Sequence, residues 1–215
     1  MARTIQDRIA AKFPRLYHYG PADNHHQIER FQAIFSSGQI RIFAGLHHPS
    51  AKRQTRELVE TPMGNFILND QQALKYGHVK HLDSLTESEF VALLDQFAFF
   101  WPGTENSPSE MGRNFAARYQ RRGDSLVQIV AATRSLMRLN RAGRIFISQC
   151  NSGAPRSNPY KAIYRGKDTF IPIMKYESPI CEIKEIAIQG WAILPADSQI
   201  VLLRNASSIG LSEEL

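Results

Sequence analysis

The chain has little cysteine, two residues in 215, Cys150 and Cys181. They can close one bridge at most, and neither stands at a metal-ligand spacing. A disulfide-stapled fold is excluded, and a reduced, cytoplasmic setting is expected. No apolar run approaches the ~20 residues that a membrane-spanning helix needs, so no membrane partner is expected. The opening stretch, MARTIQDRIAAKFPR, has no central apolar segment of the signal-peptide kind. A Gly-rich dinucleotide fingerprint, a Walker loop and a Ser-nucleophile elbow are all missing, which argues against a Rossmann-type nucleotide site. There is no internal repeat and no low-complexity tract.

What is present is an ordinary globular composition, 43% hydrophobic and 21% charged, with 12 Phe and 7 Tyr. Such a chain can bury a core as one domain over residues 1–215. Lys and Arg number 26 against 20 Asp and Glu, a net charge of +6, which favours an anionic partner such as nucleic acid. Arg113, Arg118, Arg121, Arg122, Arg134, Arg138, Arg141 and Arg144 fall in one short region with few acids, consistent with a phosphate-facing surface. The histidines occur as His25-His26, His47-His48, and His78 with His81. Adjacent pairs diverge on a helix or a strand, and no carboxylate stands at a matching distance, so no metal is expected.

Hydrophobic spacing and turn residues give an order of elements. A helix is expected over residues 1–13, then a strand, a turn at Gly20-Pro21, and a helix capped by Asn24 with Gln27. Ile28, Phe31, Ile34 and Phe35 line its core face, and Gly38 is its left-handed stop. Gln39–Phe43 and Gly64–Leu68 read as strands. Thr86 and Glu89 form a capping box whose helix runs on into Phe99-Phe100-Trp101, with Trp101 in the core. A further helix carries Met111, Phe115 and Tyr119. Leu126–Val130, Arg144–Ser148, Thr169–Ile173, Cys181–Ile188 and Gln199–Leu203 read as strands. Residues 149–167, rich in Asn, Ser, Gly and Pro, form a long segment of the functional kind. Scattered short strands with helices early and in the middle indicate α+β.

Leu16-Tyr17-His18, a spacer, and an Ile-rich helix resemble the opening of NAD-dependent ADP-ribosyltransferases, in particular the toxins that modify nucleic acid. Asp70-Gln71, Phe99-Phe100-Trp101, Asn151-Ser152-Gly153 and Arg165-Gly166-Lys167-Asp168-Thr169-Phe170 extend the similarity to an uncharacterised bacterial domain family that shares this opening. Read without the resemblance, the last of these is a tight turn with Arg165 and Asp168 paired.

The resemblance implies an ADP-ribosyltransferase-like fold, short mixed or antiparallel strands in two small sheets around a cleft with flanking helices. It implies NAD as a substrate, and a toxin or defence effector acting on nucleic acid. His18 would contact the NAD ribose, and Tyr17 or Tyr19 would pack on nicotinamide, one of them buried by strand alternation. A carboxylate on a late strand would orient the ribose and stabilise developing positive charge. Glu185 fills that role, with Glu177 and Glu182 in reserve. Arg56, or its neighbour Arg53, would face an NAD phosphate. The toxins' opening usually has a hydroxyl residue where Gly20 stands, and their middle tyrosine corresponds to either Tyr76 or Tyr119. A non-catalytic binding module on the same fold, recognising nucleic acid or a protein, is the alternative.

Overall fold

The apolar run Phe97–Gly103 is the strand around which the sheet assembles in the computed structural model, which describes residues 4–46, 51–75, 80–81, 85–154 and 164–204. In chain order the elements begin with α1 (Ile5–Lys12), β1 (Arg15–Pro21), α2 (His25–Phe31), β2 (Ala33–Phe35) and α3 (Ser37–Phe43). Next come β3 (Glu57–Thr61), β4 (Gly64–Leu68), β5 (Lys80–His81), α4 (Glu87–Asp95), β6 (Phe97–Gly103) and α5 (Glu110–Arg121). The chain continues through β7 (Leu126–Ala132), α6 (Thr133–Leu139), β8 (Ile145–Ser148), β9 (Tyr164–Arg165) and β10 (Ile171–Pro172). It closes with β11 (Glu185–Gln189), β12 (Trp191–Ile193) and β13 (Gln199–Leu203).

The class is α+β, but the strands do not form two small sheets. One seven-stranded sheet runs β10-β8-β11-β6-β1-β7-β13, and every pairing in it is antiparallel. Three two-stranded pairs, β12-β2, β3-β4 and β5-β9, stand beside it. The reason lies in β6, which joins what would otherwise be two sheets. Its first half pairs with β11, from Gln189↔Phe97 to Ile186↔Phe100. Its second half pairs with β1, as Tyr17↔Trp101, Leu16↔Pro102 and Arg15↔Gly103. Past Tyr17, β1 pairs only with β7, so β1 and the first half of β6 part from each other.

Both faces of the sheet are covered. Leu16, Phe100, Ile129 and Ile186 pack on the side of α1 and α6, with Ile9, Leu136 and Met137. Tyr17, Tyr19, Trp101 and Val130 pack under α5, against Ala116 and Tyr119. Phe97 and Ala187 pack under α4, against Phe90 and Leu94. Phe97 and Trp101 are two apart twice over on one strand, so α4 and α5 cover the same face. Alternation therefore does not leave one flanking tyrosine exposed: Tyr17 and Tyr19 share the α5 face, and both are buried.

Several local expectations give way to tertiary partners. Helix α2 ends at Phe31, where Gln32 takes φ 46°, and Ile34 pairs with Ala192 of β12 as a strand. The expected strand Gln39–Phe43 is instead helical, because Ser36 Oγ accepts from the Gln39 amide at 3.1 Å and caps α3. Gly38 lies inside α3 and is no helix stop. A Cβ there would come 2.7 Å from the Asp95 carbonyl oxygen, so glycine permits the close approach of α3 to α4. Asn24 makes no cap. Its amide donates to the Ile67 carbonyl at 2.8 Å and accepts from the Ile67 amide at 2.7 Å, extending β4 by one side chain. The box at Thr86 and Glu89 forms as expected. The helix it starts stops at Asp95, and the following aromatics are strand β6.

Arg53 ties the loop before β3 to the end of α4. Its guanidinium donates to Asp95 at 2.6 and 2.8 Å and to the Asn69 carbonyl at 2.9 Å, with both charged side chains 7% exposed. Removing one partner strands a buried charge, so Asp95→Ala should cost about 3–5 kcal/mol in urea unfolding. The double change Arg53→Met with Asp95→Leu should cost less than that single change.

Candidate functional site

Where β1 leaves β6 a cavity of about 210 Å³ opens. Its walls come from His18, Tyr19 and Gly20 of β1, from Phe97, Phe99 and Trp101 of β6, and from Phe115, Arg118 and Tyr119 of α5. Phe66 and Leu68 of β4, the segment Asn151–Ala154 and Glu185 also line it. His18 and Glu185, 167 residues apart in the sequence (185 − 18), thus line one cavity.

The His18 ring stands in for the missing ladder bond. Its Nδ1 lies 2.8 Å from the Phe99 carbonyl oxygen, and a carbonyl only accepts. Nδ1 therefore carries the hydrogen, and Nε2 keeps a lone pair. Burial drives the imidazole pKa down to about 4, against the smaller opposing effect of the Phe99 bond. At neutral pH His18 is an uncharged acceptor. A Cβ on Gly20 would sit 3.4 Å from Nε2, in ordinary van der Waals contact, so a side chain at this position would stand beside that acceptor.

Glu185 is the first residue of β11, opposite Ser148, and is 2% exposed. Its Oε2 accepts from the Ser152 amide at 3.1 Å and from Ser152 Oγ at 2.6 Å. Its Oε1 has no protein donor among the described residues. Burial pushes the carboxyl up to about 7, with the Ser152 bonds and the Arg165 charge pulling the other way. Glu177 and Glu182 are exposed, and Glu182 accepts from Gln149 at 2.7 Å. Glu185 alone of the three lines the cavity.

Arg165 does not pair with Asp168. It is buried, and it donates to the Asn151 carbonyl at 3.0 Å and the Tyr164 carbonyl at 2.9 Å, holding the segment that carries Ser152. Tyr17 is turned from the cavity, its hydroxyl donating to the Thr104 carbonyl at 2.9 Å. Tyr19 lines the cavity, accepts from Gln128 at 2.7 Å and packs against Trp101 at 5.9 Å between centroids. Arg56 is not among the lining residues. It lies 3.2 Å from Asp124 and over the Tyr119 ring. Arg53 lines the cavity with its charge held by Asp95.

Of the other lining residues, the sequence reading placed Trp101 in the core and Ser152 in a loop, named Tyr119 as one counterpart of the toxins' middle tyrosine, and counted Arg118 among the phosphate-facing arginines without singling it out. The only signal for Ser152 is its place in Asn151-Ser152-Gly153. Tyr76 and His47, His48 and His78 lie outside the described residues, as do residues 155–163 of the 149–167 segment. The arginines between 113 and 144 do not make one surface, because α5 and α6 cover opposite faces of the sheet. Among the described residues no group of His, Cys, Asp and Glu is placed to hold a metal ion, and no helix is long and apolar enough to cross a membrane.

The two titratable groups load stability in opposite directions. Glu185 ionises near 7 when folded and near ~4.3 when unfolded, so the folded chain keeps a proton that the unfolded chain has lost. Stability from this group falls as pH rises through that window. His18 titrates near 4 when folded and near ~6.5 when unfolded, so stability falls as pH drops through that window. Glu185→Gln should therefore raise the thermal midpoint by several degrees at about pH 8 and by little at about pH 4, and His18→Gln should flatten the acid side of the profile. Differential scanning fluorimetry across pH reads both.

No curated protein and no solved structure matches the chain. A match over residues 14–196 does place it: the chain belongs to DUF7002, a family of unknown function.

Proposed function

We propose that this cavity binds NAD and that the protein is an ADP-ribosyltransferase-like enzyme acting on nucleic acid, a toxin or defence effector of the cytoplasm. The observation that carries the reading is the convergence of two free acceptors, His18 Nε2 and Glu185 Oε1, on one aromatic-walled cavity. Ribose hydroxyls are donors of the matching kind. The gap between β1 and β6 supports reading the sheet as an ADP-ribosyltransferase-like fold whose two halves share a strand.

His18 accepts from a ribose hydroxyl, and Tyr19 with Trp101 packs on nicotinamide. In the reaction the bond from ribose C1′ to the nicotinamide nitrogen breaks, and its electron pair leaves with nicotinamide. The acceptor atom bonds to C1′ and releases its proton to solvent. Glu185, once ionised, accepts from the ribose 2′-hydroxyl and stabilises the positive charge growing at C1′. Because its carboxyl titrates near 7, turnover rises with pH through that value. The cavity is smaller than the roughly 300–1,000 Å³ of pockets that enclose a whole drug-sized ligand, so it holds the nicotinamide riboside end and leaves the rest of the dinucleotide at the mouth.

A second reading, a binding module without turnover, is favoured by Gly20 where the toxins carry a hydroxyl. NAD at millimolar concentration should raise the thermal midpoint, since a ligand of the folded state at 100 times its Kd adds about 2.7 kcal/mol. His18→Ala should abolish the rise. Glu185→Gln should keep it while cutting transfer of labelled ADP-ribose by a factor on the order of 100 or more. Binding without transfer in the unmodified protein would select the module reading, and absence of any shift would reject NAD as the ligand.

A further inference from the structure

Three guanidinium groups surround the Tyr119 ring, those of Arg56 at 5.6 Å, Arg118 at 5.2 Å and Arg122 at 5.1 Å. Two carboxylates answer them. Asp70 is 2.9 Å from Arg122, and Asp124 lies 3.2 Å from Arg56 and 3.5 Å from Arg122. Arg118 has neither a carboxylate nor a hydrogen-bond acceptor among the described residues, and it alone of the three lines the cavity. The other arginine of the lining, Arg53, is closed off by its two-pronged contact with Asp95. Arg118 is partly exposed and is steadied over Phe115 at 5.3 Å as well as over Tyr119. A guanidinium steadied on two aromatic faces is pre-organised, with its donors free for a two-oxygen anion.

We propose that Arg118 is the phosphate-binding side chain of this site, and that the ligand is a nucleotide whose phosphoryl groups lie against α5. The inference rests on the nucleotide reading above and adds to it a direction. The sugar enters toward His18 and Glu185, and the phosphates remain at the α5 wall. It also moves the phosphate contact from Arg56, whose charge Asp124 already answers, to a residue 62 positions later (118 − 56).

The test compares Arg118→Gln and Arg118→Lys with the unmodified protein by isothermal titration, using NAD, ADP and the phosphate-free nicotinamide riboside. Loss of one charged two-oxygen contact should weaken NAD and ADP about 10- to 100-fold in Arg118→Gln. Nicotinamide riboside should stay within about twofold, and Arg118→Lys should recover part of the loss. An unchanged melting midpoint checks that the variants fold. If Arg118→Gln binds NAD as the unmodified protein does, or loses the riboside equally, the assignment fails while the NAD reading stands. If the unmodified protein binds ADP but not NAD, the dinucleotide reading fails and the ADP comparison decides Arg118. Binding of none of the three overturns both.

Discussion

A strand has two edges, and β6 gives each of them to a neighbour along only half of its length. Phe97–Phe100 hydrogen-bond with β11 and Trp101–Gly103 with β1. Everything else in the site follows from that division. It opens the gap into which α4, α5 and the β3-β4 hairpin project side chains. It leaves the Phe99 carbonyl without a partner on the β1 side, and buried backbone acceptors demand one. His18 supplies it, and in doing so its ring is held in a single tautomer with Nε2 open.

The polar groups at the base of the cavity are stored close to neutrality. An ionised imidazole or carboxylate in so dry a place would be costly, and burial moves both groups toward their uncharged forms. Formal charge stands instead where carboxylates, carbonyls or water can answer it, as at Arg53 with Asp95, Arg122 with Asp70 and Arg165 with two backbone carbonyls. The outcome is a pocket lined by an uncharged imidazole acceptor, a carboxyl that accepts once ionised and a cation. That polarity suits a ligand that is rich in hydroxyls at one end and anionic at the other.

Much of this was legible in the chain, and what was missed has a physical pattern. Self-contained elements came through: the Thr86–Glu89 box, α1 with Ile5 and Ile9, α5 with Phe115 and Tyr119, and strands such as β4 and β7. Elements defined by a distant partner did not. Ala33–Phe35 has a helical pattern and becomes a strand because β12 lies alongside it. Phe97–Trp101 continues a helical spacing, yet it is a strand because β1 and β11 bracket it. His18 and Glu185 were visible through their resemblance to a motif. Ser152 was not, and Arg118 was visible only as one of eight arginines in a basic stretch, since their roles depend on a contact 33 residues away and on which cations lack a counter-charge.

The Ser152–Glu185 contact has a thermodynamic corollary. Both donors of Ser152 fall on the same carboxyl oxygen and favour its ionised form. An event that draws residues 151–154 away removes that preference and also relieves the burial that holds the carboxyl's pKa up, so the proton occupancy of Glu185 changes with the position of the segment. By reciprocity, pH biases the position of the segment. The backbone of a surface segment is thereby linked to the proton concentration around it through one buried oxygen atom.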